Sequence, residues 1–177
     1  VLVRESSSSD REVTEEAAMR RALDLAKRGW GRVSPNPLVG AVLLRGNRIV
    51  GEGYHAEFGG AHAEAQALAS CPDPEGTTCV VTLEPCTHVG KTAPCTEALI
   101  REGISRVVFA VRDPDPAARG GGARLRAAGV DVAEGVCRDE AAALNAPFLC
   151  SKTRPERPFV ALKLATSLDG FLTDETG

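Results

Sequence analysis

The sequence has no basic surplus. Its 177 residues carry a formal net charge of −3 at pH 7, whereas a protein that grips a nucleic-acid backbone shows a positive excess. Nucleic acid is therefore not an expected partner. No apolar run approaches the roughly 20 residues needed to cross a bilayer, and the opening VLVRESSSSDRE lacks the apolar stretch of a secretory signal. These absences point away from the membrane and toward the cytoplasm. Histidine is scarce, with three in the chain, and His55, His62 and His88 all fall in one stretch. The six cysteines could staple a small secreted domain, but a chain of this size in the cytosol uses them as thiols or metal ligands.

What is present is ordinary for a globular domain: 43% hydrophobic and 25% charged residues. The length suits one domain with its own core and a fragment of a second. Residues 1–12 are rich in serine and charge and read as a tail. Thr14 then offers an N-cap, with Glu15 and Glu16 in the first turn and Ala18, Ala22, Leu25 and Ala26 at helical spacing; Gly29 is the stop. Residues 39–44 and 49–54 read as two strands of a hairpin closed by Gly46-Asn47. Beyond the hairpin the pattern alternates. Helices are predicted at 62–69, 96–101, 123–128 and 140–145, and strands at 79–83, 106–111 and 130–133. Such alternation implies parallel strands with crossover helices, hence a mixed sheet, antiparallel at its first hairpin and parallel after it, between helical layers. Pro155 to Pro158 marks a linker, and 159–164 reads as a further strand.

The chemistry concentrates in His62-Ala63-Glu64 and in PCTHVGKTAPC, which opens at Pro85. His62, Cys86 and Cys95 supply one imidazole and two thiolates. Three protein ligands suit a catalytic zinc with one position left for water, whose pKa the metal lowers; a closed structural site takes a fourth protein ligand. Glu64, two residues after His62 at a helix start, is placed for proton transfer beside the metal. The start of the helix at 96–101 favours deprotonated thiols. H-x-E followed by P-C-x-x-C marks the zinc deaminases. Here eight residues separate Cys86 from Cys95 instead of two.

The segment TLEPCTHVGKTAPC, from Thr82, resembles the deaminase half of the bifunctional riboflavin-biosynthesis deaminase/reductase family, in which the longer spacing is usual. SPNPLVGAVLL from Ser34, GEGYHAEFGGAHAE from Gly51, DPDP from Asp113 and the pair Gly120 and Gly122 are similar in the same order, from about Met19 to Phe148. PFVALKLATSLDGFLT from Pro158 resembles the opening of that family's reductase domain.

The resemblance implies a three-layer α/β/α fold of the cytidine deaminase type with a mixed five-stranded sheet. It divides the chain into a tail at 1–12, a zinc-dependent deaminase domain at 13–150, and a linker with a truncated reductase start at 151–177. A nicotinamide-binding fold cannot be completed from so short a tail, so no reduction is expected of this chain, and a reductase domain or separate reductase performs it. The implied reaction is hydrolytic deamination of the phosphorylated substrate 2,5-diamino-6-(5-phosphoribosylamino)pyrimidin-4(3H)-one at C2, with Zn2+ as cofactor and Glu64 as proton shuttle. Asn36, His55, His88, Lys91 and Asp113 match substrate-contacting positions, and a lysine such as Lys91 suits a phosphate. Asp115 departs from the family's usual asparagine and adds a negative charge. Association into homo-oligomers is also implied.

Plainer roles compete with several of these. Asn36 suits the Pro35-Asn36-Pro37 turn, and Glu64 suits a helix start. His55 and His88 suit surface or capping positions, and Lys91 a solvated one. Glycines 120–122 lack the spacing of a phosphate loop and suit a turn before a helix. Cys71, Cys79, Cys137 and Cys150 have no partner at metal spacing. Two other functions stay open: another base, nucleoside or nucleotide deaminase of the superfamily, and a zinc module without catalysis.

Overall fold

Thr14 caps the first helix, α1 (Glu15–Lys27), its hydroxyl accepting the Ala17 N–H at 3.1 Å. The two glutamates of its first turn meet the positive end of the helix dipole. Its apolar stripe, from Ala18 to Ala26, is buried. Strands β1 (Gly40–Arg45) and β2 (Arg48–Tyr54) form the expected hairpin. Gly46 turns it with φ 57°, a value glycine reaches without the Cβ penalty. The structure, a computed structural model, describes residues 13–88 and 93–170. The predicted tail at 1–12 and Lys91 lie outside the described residues.

The chain continues through α2 (Ala63–Ala69), β3 (Thr78–Leu83), α3 (Cys95–Arg101), β4 (Arg106–Val111), α4 (Gly121–Ala127), β5 (Asp131–Glu134), α5 (Arg138–Leu144) and α6 (Ala146–Thr153). The five strands lie in the order β2-β1-β3-β4-β5. One pairing departs from the expectation that everything after the hairpin is parallel: β1 pairs antiparallel with β3 as well as with β2. The cause is the crossover through α2. It returns β3 in the direction of β2 but on the far side of β1, so β1 opposes both neighbours. Only β3, β4 and β5 pair in parallel.

Because inner strands are apolar on both faces, the sheet is covered on both. Leu43, Val81, Val107 and Phe109 pack on one face with Ala67 of α2, Leu99 of α3 and Leu125 of α4. Val42, Val80 and Val108 pack on the other with Met19 and Ala22 of α1 and Ala141 of α5. Burying each large side chain of this kind contributes roughly 1.5–3 kcal/mol. The result is the three-layer sandwich expected.

Two features differ from the sequence expectations. Residues 159–164 carry no strand; Phe159, Val160, Leu162 and Leu164 are exposed, and no described strand pairs with them. Strand propensity without a neighbouring edge leaves the ladder unmade. Conversely, α6 forms where a linker approach was read, with Pro147 in its first turn, where a missing N–H costs nothing. Among the described residues no helix is long and apolar enough to cross a membrane.

The helices ride close to the sheet because glycine faces them. A Cβ on Gly53 would stand 2.3 Å from the Ala63 carbonyl oxygen and 2.4 Å from the Ala67 nitrogen of α2. Gly53→Ala must therefore push the helix away. Overpacking of this kind costs roughly 1–3 kcal/mol, which lowers Tm by about 3–10 °C in a chain of this size. Thermal unfolding followed by circular dichroism measures it. Gly46→Ala, which meets no atom within 4 Å, suffers only its backbone strain and loses less.

Candidate active site

The three predicted metal ligands converge. His62 is the N-cap of α2, Cys95 is the first residue of α3, and Cys86 lies in the loop that leaves β3. Their donor atoms all lie within 4.8 Å of one another. His62 Nδ1 is 3.2 Å from Cys95 Sγ and 3.6 Å from Cys86 Sγ. Ligands at tetrahedral zinc distances stand about 3.5–3.8 Å apart, so the spacing is that of a shared ion. The N-terminus of α3 faces the sulfurs as expected: the Cys95 N–H donates to Cys86 Sγ at 3.4 Å. The Thr96 N–H and hydroxyl both donate to the Cys86 carbonyl, at 3.3 and 3.2 Å, and lock this loop to the helix.

The protonation pattern makes the same point. The Cys86 thiol is drawn down to about 4, first by the hydrogen bond from Cys95 and then by His62. Cys95 is pushed up by that same bond and by its burial. A divalent cation shared by two sulfurs in this contact lets both be thiolates. His62 is raised chiefly by its hydrogen bond with Cys86. Cys79 is fully buried in the sheet, and burial pushes its thiol far up, which suits packing rather than ligation.

Glu64 follows His62 into the first turn of α2 and is only 4% exposed. Burial raises its carboxyl above the usual range, and the adjoining Cys86 adds to the rise. A carboxyl whose ionised form burial disfavours holds a proton more readily than an exposed one, which suits proton transfer.

Glu64, His62 and Cys86 line a cleft of about 380 Å³ at the strand ends. Asn36, His55, His88 and Asp113 line the same cleft. His55 is almost wholly buried, and both its ring nitrogens are engaged. Nδ1 donates to the Ala61 carbonyl at 3.0 Å, so Nε2 faces the Asn36 amide nitrogen, 3.1 Å away, as an acceptor. The ring is therefore neutral, in keeping with its lowered pKa, of which burial is the main cause. Its edge also packs on His62, with centroids 5.7 Å apart at 77°. His55 thus orients Asn36 and supports a ligand. His88 is exposed at the rim.

Three residues of this site escaped the sequence reading. Asn145 is buried and pairs both ways with the Leu38 backbone at 2.8 Å, tying the loop of Asn36 to the helices near the C-terminus. Glu84, buried at the end of β3, accepts the Asp113 N–H at 3.1 Å and the Gly122 N–H at 2.9 Å. It holds Asp113 and the glycine turn that opens α4, which explains glycines 120–122 without a phosphate. The one signal for Glu84 was a carboxylate directly after an apolar strand. Lys152, with Phe148 and Ser151, brings α6 to the cleft rim, where its ammonium meets Asp115 Oδ2 at 2.7 Å. Nothing local in the sequence marks it.

Residues 12–111 match the cytidine and deoxycytidylate deaminase zinc-binding region. The chain belongs to this zinc deaminase family. Zinc is accordingly its cofactor, and His62, Cys86 and Cys95 are the donor set that fits it. Within the family the chain is similar to the riboflavin biosynthesis protein RibD of Aquifex aeolicus, with 50% identity over 161 residues, 90% of this chain and 45% of the relative. The RibD of Escherichia coli is 48% identical over 158 residues, 88% of this chain and 43% of the relative. The chain thus spans less than half the length of these relatives. Among solved structures, a diaminohydroxyphosphoribosylaminopyrimidine deaminase/5-amino-6-(5-phosphoribosylamino)uracil reductase from Thermotoga maritima superposes with a TM-score of 0.86 at 48% identity, covering 92% of this chain and 48% of that one. The Rib2 deaminase of Aspergillus oryzae gives a TM-score of 0.61 at 26% identity, covering 78% of this chain and 94% of that one. The zinc deaminase fold expected from the sequence is the fold observed.

Purified protein is expected to carry about one zinc per chain. Cys95→Ser and His62→Ala should each lose most of it, by elemental analysis after dialysis, while Cys79→Ser should keep it. Zinc retained by both ligand variants would show that the ion is held elsewhere.

Proposed function

We propose that this chain hydrolytically deaminates 2,5-diamino-6-(5-phosphoribosylamino)pyrimidin-4(3H)-one to 5-amino-6-(5-phosphoribosylamino)uracil and ammonia, a step of riboflavin biosynthesis. The observation that carries the proposal is a buried carboxyl, Glu64, beside a three-donor zinc set at the floor of an open cleft. The similarity to RibD proteins and to the Thermotoga deaminase/reductase supports the substrate.

Bound zinc would supply an acidified water and hold it in the cleft. Glu64 would accept a proton from the attacking water and deliver it to the ring nitrogen adjacent to C2. It then carries the second proton to the departing amine, which leaves as ammonia. Burial raises the Glu64 carboxyl, so it keeps a delivered proton more readily than an exposed carboxylate does. Asn36, held by His55, hydrogen-bonds the pyrimidine. His88, Lys91 and Asp113 bind its polar edge and ribose phosphate.

In the same proposal residues 13–150 are the deaminase unit, and residues 151–177 are a linker with the opening of a reductase unit. The enzyme acts in the cytoplasm as a homo-oligomer, and a reductase, attached or separate, consumes its product. The main rival is another deaminase of the superfamily. The eight residues between Cys86 and Cys95 and the relatives found favour the riboflavin intermediate over cytidine.

Ammonia release from the authentic pyrimidine and from cytidine, measured side by side, tests the substrate; activity on cytidine alone would overturn it. Glu64→Gln should keep its zinc and lose about 10²–10⁴-fold in kcat. Turnover at the parental rate in that variant would remove Glu64 from the chemistry.

A further inference from the structure

The cleft is acidic. Glu64, Glu84, Asp113 and Asp115 all line it, and among the described residues Lys152 is the only lysine or arginine that does. A phosphorylated ligand carries about two negative charges near neutral pH, so a cation at the rim, beside Asp113 and Asp115, favours its phosphate. Lys152 is placed to supply that cation. It projects from the last turn of α6, at the cleft rim, with its side chain 39% exposed. Its ammonium has three donors. One is spent on Asp115 Oδ2 at 2.7 Å, and the head lies 6.0 Å from the centre of the Phe148 ring.

Asp115 is itself fixed. Its Oδ1 accepts the Ala117 N–H at 3.0 Å, and its own N–H donates to Asp113 Oδ1 at 2.8 Å. Asp113 is anchored in turn by Glu84. Lys152 is thus paired with a carboxylate that is itself hydrogen-bonded in place, at the outer end of a chain of hydrogen bonds that starts deep in the site. The negative charge of Asp115 is met by a lysine from a different element.

We infer that Lys152, which Asp115 holds at the rim when no anion is bound, is a phosphate-binding and specificity-determining residue of the cleft, its remaining ammonium donors available to the 5-phosphate of the ligand. The inference rests on the proposed substrate and names a contact within it. The competing role is a plain anchor that pins α6 to the loop of Asp115. The two roles make opposite demands on Asp115. An anchor fails equally when either partner is removed. A phosphate site weakens without Lys152 but strengthens without Asp115, because a repelling charge goes and the ammonium is released.

The test compares the phosphorylated pyrimidine with its dephosphorylated ribosylamino counterpart, using zinc-loaded wild type, Lys152→Met, Lys152→Arg and Asp115→Asn. Lys152→Met should cut the ratio of kcat/KM between the two substrates about tenfold, mainly through KM. Lys152→Arg should restore most of it. Asp115→Asn should leave the ratio at or above that of wild type. An unchanged ratio in Lys152→Met, or parallel losses in Lys152→Met and Asp115→Asn, overturns the inference. If the wild type releases no ammonia from either pyrimidine, the proposed substrate falls. The phosphate contact is then judged separately by titrating ribose 5-phosphate into the zinc-loaded protein by NMR. About tenfold weaker binding in Lys152→Met sustains the contact, and equal binding removes it.

Discussion

Two sulfurs and an imidazole nitrogen lie within 4.8 Å of one another, a proximity that a shared divalent cation favours by taking up the charge of both thiolates. Everything else at the site serves to bring these three atoms together. His62 comes from the cap of α2, Cys86 from the loop after β3, and Cys95 from the start of α3. His62 and Cys95 sit where helices begin, and the loop of Cys86 is tied to α3 through Thr96. The parallel strands β3 and β4 end on the same side of the sheet, and that edge becomes the cleft floor. Close helix packing over glycine sets the depth at which α2 delivers both His62 and Glu64.

Around this centre the protein manages charge by burial and by pairing. Glu64 lies in the interior, where its ionised form is disfavoured. Glu84 is buried too, but two backbone N–H groups meet its oxygens. His55 is kept neutral chiefly by burial, with both ring nitrogens engaged in hydrogen bonds. The floor therefore combines a cation site with a carboxyl able to exchange protons, under a wall rich in carboxylates. A lysine from α6 balances the outer part of that wall.

The elements legible in the sequence were those with a local signal. The Thr14 cap, the hairpin over Gly46 and the apolar strands at 79–83 and 106–111 depend on neighbours a few residues away, and the structure keeps them within a residue or two. The direction of β1 relative to β3 had no such signal, because it follows from the side on which a crossover returns. Residues 159–164 have the composition of a strand but no described edge to join. Helix α6 was missed because its periodicity is weak and Pro147 looks like a breaker until it falls in the first turn.

The sequence by itself determined the chemical identity of the centre. An imidazole, two thiols and a carboxyl at that spacing admit few uses, since ligand type and local offset are properties of short segments. The tertiary structure decided which distant groups join them. Asn145 reaches Leu38 across more than one hundred positions, Glu84 braces two loops, and Lys152 meets Asp115 thirty-seven residues away. Such contacts arise from how the layers pack, and packing is a property of the whole chain that no short segment carries.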